Sequence, residues 1–124
     1  MNPADLAGCE VPATTHVVTG DDVAAYQRAT GGAPPAMILA RYLVPAVIGH
    51  LTGPAVGLHL ERMVHAEQEF SFLGPIAAGD VIEVSGRVQS VAVRGDWARL
   101  VVETWARVGG FVVGTGRSLI MVQA

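Results

Sequence analysis

A chain of 124 residues with 51% hydrophobic and only 15% charged side chains has the material for one packed core, which excludes a disordered protein. The net charge is −3 and the eight cations are arginines scattered from Arg28 to Arg117, so no basic stripe faces phosphates and nucleic acid is not an expected partner. No apolar run reaches the ~20 residues that span a bilayer and no leader pattern opens the chain, so the expectation is a cytoplasmic protein without membrane contact.

Residues 1–15 hold Pro3 and Pro12, show little periodicity, and read as a lead-in segment of a single domain spanning 1–124. Cys9 lies in it without a second thiol for a disulfide or a structural zinc site. Thr19 can cap a helix, with Asp22 three residues on as in a capping box. That helix is predicted over Asp21 to Thr30, and Gly31-Gly32 stop it as a C-cap does. Pro34-Pro35 then open a second helix, since proline is tolerated in a first turn. Ala36 to Leu51 is apolar nearly all round, which predicts a buried helix, and Pro45 predicts a kink or a one-turn break.

Beyond Val56 the period changes to two. Glu67 to Phe72 reads as a strand ended by Gly74-Pro75, and Gly79-Asp80 as a turn in which Asp80 bonds its own backbone. In Val81 to Val93, Ile82, Val84 and Val88 alternate with polar residues, which predicts a half-buried strand. A turn at Arg94-Gly95-Asp96 leads to a strand with Ala98, Leu100, Val102, Thr104, Ala106 and Val108 on its inner face. Gly109-Gly110 signals a hairpin, and Phe111 to Val122 returns as the last strand. One buried helix followed by a long antiparallel meander gives an α+β fold, a curved antiparallel sheet wrapped around the helix in the hot-dog arrangement. Trp97, Val101 and Trp105 make the outer face too apolar for free solvation, so a dimer is expected.

His65, Glu67 and Glu69 form the densest polar cluster. Residues two apart on a strand share a face, so a His65–Glu67 pair is a candidate for acid–base work or metal binding. Hydrogen bonds that pin a strand end account for it more simply. His50 sits at the C-terminal end of the apolar helix, where the dipole favours a cation, and reads as structural. His59 with Glu61 could line a tunnel mouth. No phosphate loop, nucleophile elbow or cysteine metal set is present, and the reading calls for no metal and no cofactor.

Several stretches together resemble the MaoC-like (R)-hydratase/dehydratase family, most closely its N-terminal, fatty-acid-synthase-type dehydratase domain. Ala33-Pro34-Pro35-Ala36-Met37 before an apolar helix is similar to that family's APP-containing helix start. Val64-His65-Ala66-Glu67-Gln68-Glu69-Phe70 resembles its HGEQEF strand, Pro75 to Asp80 its proline-to-GD turn, and Val18 to Gly31 its first helix. The resemblance runs from about His16 to the C-terminus. It implies a hot-dog fold and hydration of 2-enoyl thioesters, or dehydration of (R)-3-hydroxyacyl thioesters, on coenzyme A or an acyl carrier protein. One group moves a proton at the α-carbon while another activates water at the β-carbon, and N–H groups at the helix start hold the thioester oxyanion. By the resemblance, Gly31, Gly32, Pro35, Ala36 and Met37 bind substrate, with the oxyanion at the N–H groups of Ala36 and Met37.

The sequence departs from the family where the catalytic Asp and His should follow the first helix, because Thr30-Gly31-Gly32-Ala33-Pro34-Pro35 holds neither. Asp21 and Asp22 are better explained as first-turn capping residues. Three functions stay open. The chain is a substrate-holding subunit that pairs, as homodimer or heterodimer, with a second hot-dog subunit bringing the dyad. Alternatively it is a self-sufficient hydratase/dehydratase or thioesterase with relocated residues, or a non-catalytic acyl-thioester sensor. A hot-dog thioesterase would want a carboxylate near the buried helix, and this helix has none.

Overall fold

The computed structural model describes residues 2–32 and 38–123. A short 3-10 turn, Pro3–Leu6, leads into strand β1 (Glu10–Val17) and helix α1 (Gly20–Thr30). Helix α2 (Ala40–Thr52) follows, then β2 (Met63–Phe72), β3 (Val81–Arg94), β4 (Trp97–Val108) and β5 (Phe111–Gln123). The strands form one antiparallel sheet in the order β1-β3-β4-β5-β2, so β1 and β2 are its edges.

Local chemistry sets the boundaries. Thr19 Oγ1 accepts from the Asp22 N–H at 3.0 Å and starts α1, and Gly31 ends it in the left-handed region at φ 69°. Gly109 and Gly110, at φ 58° and 83°, make the tight turn between β4 and β5. Asp80 Oδ2 accepts from the Ala77 N–H at 2.8 Å and closes the turn before β3. No described helix is long and apolar enough to cross a membrane.

The predicted inner faces of β3 and β4 are the buried ones, with Ile82, Val84, Leu100, Val102 and Ala106 fully enclosed. Leu43, Val47 and Leu51, one helical turn apart, bury the facing stripe of α2, each worth about 1.5–3 kcal/mol. Around its C-terminal half gather Leu6, Val11, Leu100 and Ile120, and around its N-terminal half Val18, Leu39, Ile76 and Ile82. Close approach is made possible by β5. A Cβ at Gly114 would stand 2.5 Å from Leu39 Cδ1, and one at Gly116 would stand 2.6 Å from Thr104 Oγ1.

Three expectations need correction. The lead-in segment contains β1, hidden because Pro12 and Ala13 form a bulge: Val11 pairs with Gly86 and Thr14 with Val84. Of the kink or one-turn break expected at Pro45, the break is absent, for α2 runs through it from Ala40 to Thr52. Nor is α2 buried all round, for Val44, Ala46 and Ile48 are half-buried and Pro45 and Gly49 are exposed. One sheet can cover only one side of a helix, and the rest of this apolar surface stays open in the single chain.

Charges on the outer face are ordered. Glu10 pairs with Arg87, Arg87 with Glu103, Glu103 with Arg117, and Arg117 with Glu69, so opposite signs alternate in one row across all five strands. Opposite charges directly across a ladder contribute about 0.2–1 kcal/mol where their side chains meet.

Candidate functional site

Between β1 and the adjacent flank of α2 lies an open groove of about 400 Å³. The β1 bulge creates it. Val11 and His16 are five residues apart and would face opposite sides of a regular strand, but the extra residue turns both inward, opposite Gly86 and Ile82. On the helix side, Pro45, Ala46 and Gly49 present little bulk, and a Cβ built at Gly49 meets nothing within 4 Å. The groove follows α2 from Tyr42 to His50, about 12 Å at the helical rise.

The end near the start of α2 is polar. The His16 ring lies 5.1 Å from that of Tyr42, tilted by 31°, and His16 Nε2 is 3.1 Å from Thr14 Oγ1. Burial raises the Tyr42 phenol above the usual tyrosine range; the Asp22 carboxylate adds to that and the Arg41 guanidinium opposes it. Tyr42 therefore stays a protonated donor, beside an imidazole that can accept or donate. His50 lines the far end. Among the described residues the one imidazole–carboxylate contact is His59 Nδ1 to Glu61 Oε1 at 3.7 Å, exposed and outside this groove.

The residues singled out from sequence fare differently. Pro35, Ala36 and Met37 lie outside the described residues; Gly31 and Gly32 are exposed with positive φ after α1. His65 and Glu67 do not share a face. Ala66 is the extra residue of a second bulge, so His65 pairs with inward Ile120 while Glu67 pairs with outward Leu119. Glu69 is outward too, opposite Arg117. His65 contacts Gln68 instead, Nε2 to Oε1 at 2.9 Å. His16 and Tyr42 were missed. Their only signal was an imidazole just ahead of a helix cap and a phenol in an apolar helix, which means nothing until β1 is known to pair beside α2.

The family model described as "FAS1-like, dehydratase domain region" matches residues 32–109. The chain belongs to that family. A UPF0336 protein from Clavibacter michiganensis subsp. michiganensis is 28% identical, the match covering 84% of this chain and 83% of that one. Among solved structures, the MaoC-like dehydratase from Rhodospirillum rubrum superposes with a TM-score of 0.70 at 18% identity, covering 94% of this chain and 92% of that one. The HadBC (3R-hydroxyacyl-ACP dehydratase) complex from Mycobacterium tuberculosis gives 0.67 at 20% identity, covering 94% and 97%. The fold of this dehydratase-family member is the hot-dog α+β arrangement, a curved five-stranded antiparallel sheet over a central helix.

Proposed function

We propose that the chain is a substrate-holding subunit of an (R)-specific 3-hydroxyacyl/2-enoyl thioester dehydratase–hydratase. It binds the acyl thioester of coenzyme A or an acyl carrier protein and leaves the Asp–His dyad to a homologous hot-dog subunit. The observation that carries this reading is the groove: an apolar trough about 12 Å long, with hydrogen-bonding groups at its ends and no carboxylate bonded to its imidazole. The acyl chain lies along Val11, Pro45, Ala46 and Gly49 with its polar head toward His16 and Tyr42. By the family resemblance, the thioester oxygen would be held by the N–H groups of Ala36 and Met37, with Gly31, Gly32 and Pro35 as the other substrate-binding residues. The open flank of α2 at Val44 and Ile48 is the surface a second hot-dog subunit would cover, and a solved structure of like fold is that of a complex, HadBC.

The His16–Tyr42 pair favours a second reading, a self-sufficient hydratase with relocated acid–base groups. Enoyl-CoA hydration by the purified chain alone supports that reading, and activity only with an added partner supports the first. Binding without turnover in either setting makes the chain a sensor.

The groove itself is tested by Gly49→Leu. The new side chain enters open space and removes a helix-destabilising glycine, so folding is kept or strengthened by about 0.5–1 kcal/mol. Affinity for a medium-chain enoyl-CoA, measured by calorimetry, is expected to fall at least tenfold. Unchanged affinity would place the acyl chain elsewhere.

A further inference from the structure

The two polar ends of the groove between β1 and α2 are not alike. Tyr42, Ala46 and His50 follow one another at intervals of four, so they stand in one row along the flank of α2 that faces β1. The row reads phenol, methyl, imidazole, with the polar residues about two turns and 12 Å apart. Pro45 and Gly49 line the groove beside it and add no polar side-chain atom. On the strand side, Thr14 and His16 stand by Tyr42. Val11, which packs with Val47 and Leu51, stands by the far end.

The near end is satisfied within the chain, and the far end is not. Of the four imidazoles, those of His16, His59 and His65 each meet a polar side chain, namely Thr14, Glu61 and Gln68. The His50 ring meets no hydrogen-bond or ion-pair partner among the described residues. Yet it is half-buried and lines the trough next to Val11, Pro12, Ala46 and Gly49. The helix dipole explains why a cation is tolerated near this helix end. It does not explain a polar ring left without a partner at the end of an apolar trough, where such a group costs free energy.

We propose that His50 is a specificity-determining residue that bonds a hydroxyl at the far end of the acyl chain, so that the groove takes a medium-chain ω-hydroxyacyl thioester. This rests on the thioester reading above and names the substrate class of that same groove. With the head at His16 and Tyr42, an extended chain advances roughly 1.25 Å per carbon, from C–C bonds of about 1.5 Å at near-tetrahedral angles. About eight to ten carbons then cover the trough. A shorter chain ends over Ala46 and Gly49, where no side chain offers a hydrogen bond. A hydroxyl both donates and accepts, so it satisfies the imidazole in either tautomer. A carboxylate only accepts, and it would meet the negative end of α2 while Arg41 stands at the opposite end of the row.

Calorimetry on the full chain with paired acyl-CoA thioesters tests this. 10-Hydroxydecanoyl-CoA is expected to bind about threefold to tenfold more tightly than decanoyl-CoA, the size of one hydrogen bond. No preference is expected between 6-hydroxyhexanoyl-CoA and hexanoyl-CoA, and a ten-carbon ω-carboxylate should bind more weakly than the hydroxyl. His50→Leu should abolish or reverse the ten-carbon preference while decanoyl-CoA still binds, which also reports a folded variant. His50→Gln, which keeps a donor and an acceptor, should retain part of the preference. Equal affinities for the ten-carbon pair, the same preference in the six-carbon pair, or a preference that survives in His50→Leu overturns the proposal and leaves the thioester reading standing. No binding of any acyl-CoA by the wild-type chain overturns both.

Discussion

β1 and β2 close the sheet at opposite ends, and each carries one bulge and one inward imidazole. What lies over them differs. α2 packs along β1, so that Val11 is 3% exposed and the His16 ring rests on Tyr42 over a groove. The inner face of β2 projects past the helix, with His65 and Phe72 exposed and Gln68 and Phe70 half-buried. One device, an extra residue that re-aims a strand, thus makes an apolar trough where a helix covers it and a polar ledge where none does. The comparison teaches that a bulge fixes where a side chain points, and the neighbouring layer decides what that direction is for.

The same substitution on both edges sharpens this most. Val11→Ala on β1 is expected to cost about 2 kcal/mol by emptying part of the core. Val64→Ala on the outer face of β2, where the residue is 51% exposed, should stay within about 0.5 kcal/mol. Urea denaturation reads both, and equal losses would show that β2 is covered in solution, as a subunit contact would make it. A smaller effect separates the two inner hydroxyls of the ledge. Ser118→Ala removes a hydrogen bond to Gln68 and should lose about 1 kcal/mol. Thr104→Val replaces an unpartnered hydroxyl by an isosteric methyl, and should be neutral or gain up to about 1 kcal/mol. A loss as large as that of Ser118→Ala would mean that Thr104 has a hydrogen-bond partner in solution.

The finest test concerns the groove end. Tyr42 is held above the normal tyrosine range first by burial and then by Asp22, so its phenol should ionise later than free tyrosine when followed by ultraviolet absorbance. Asp22→Asn should bring the midpoint part of the way down, and Tyr42→Phe should abolish the late component. Because the folded value is the raised one, the stability Tyr42 contributes is full below the unfolded tyrosine range, near 10, and disappears as pH rises through the folded value. An Asp22→Asn midpoint that does not move would leave burial as the whole cause.

Much of this was legible in the residues. The Thr19 cap, the Gly31 stop, the alternation of Ile82, Val84 and Val88, and the Gly109-Gly110 hairpin are local signals, and the structure places them as expected. The MaoC-like resemblance named the family that the dehydratase-region match shows. What escaped were the bulges. Val11 and His16 have opposite parity, so β1 looks aperiodic although both side chains turn inward. Ala66 likewise separates His65 from Glu67, and a period-two reading pairs the wrong residues. The small side chains of Ala46 and Gly49 mark a hollow only once a strand is known to run beside them.

The row Glu10–Arg87–Glu103–Arg117–Glu69 has a consequence of another kind. It exists in one alignment only: sliding β5 by two residues would set Glu103 against Thr115 or Leu119 instead of Arg117. Such a slip keeps every oily side chain on its proper side, so hydrophobicity alone would tolerate it. The exposed charges therefore act as a vernier scale, readable in water before the interior has closed, that distinguishes correctly aligned ribbons from those merely right way up.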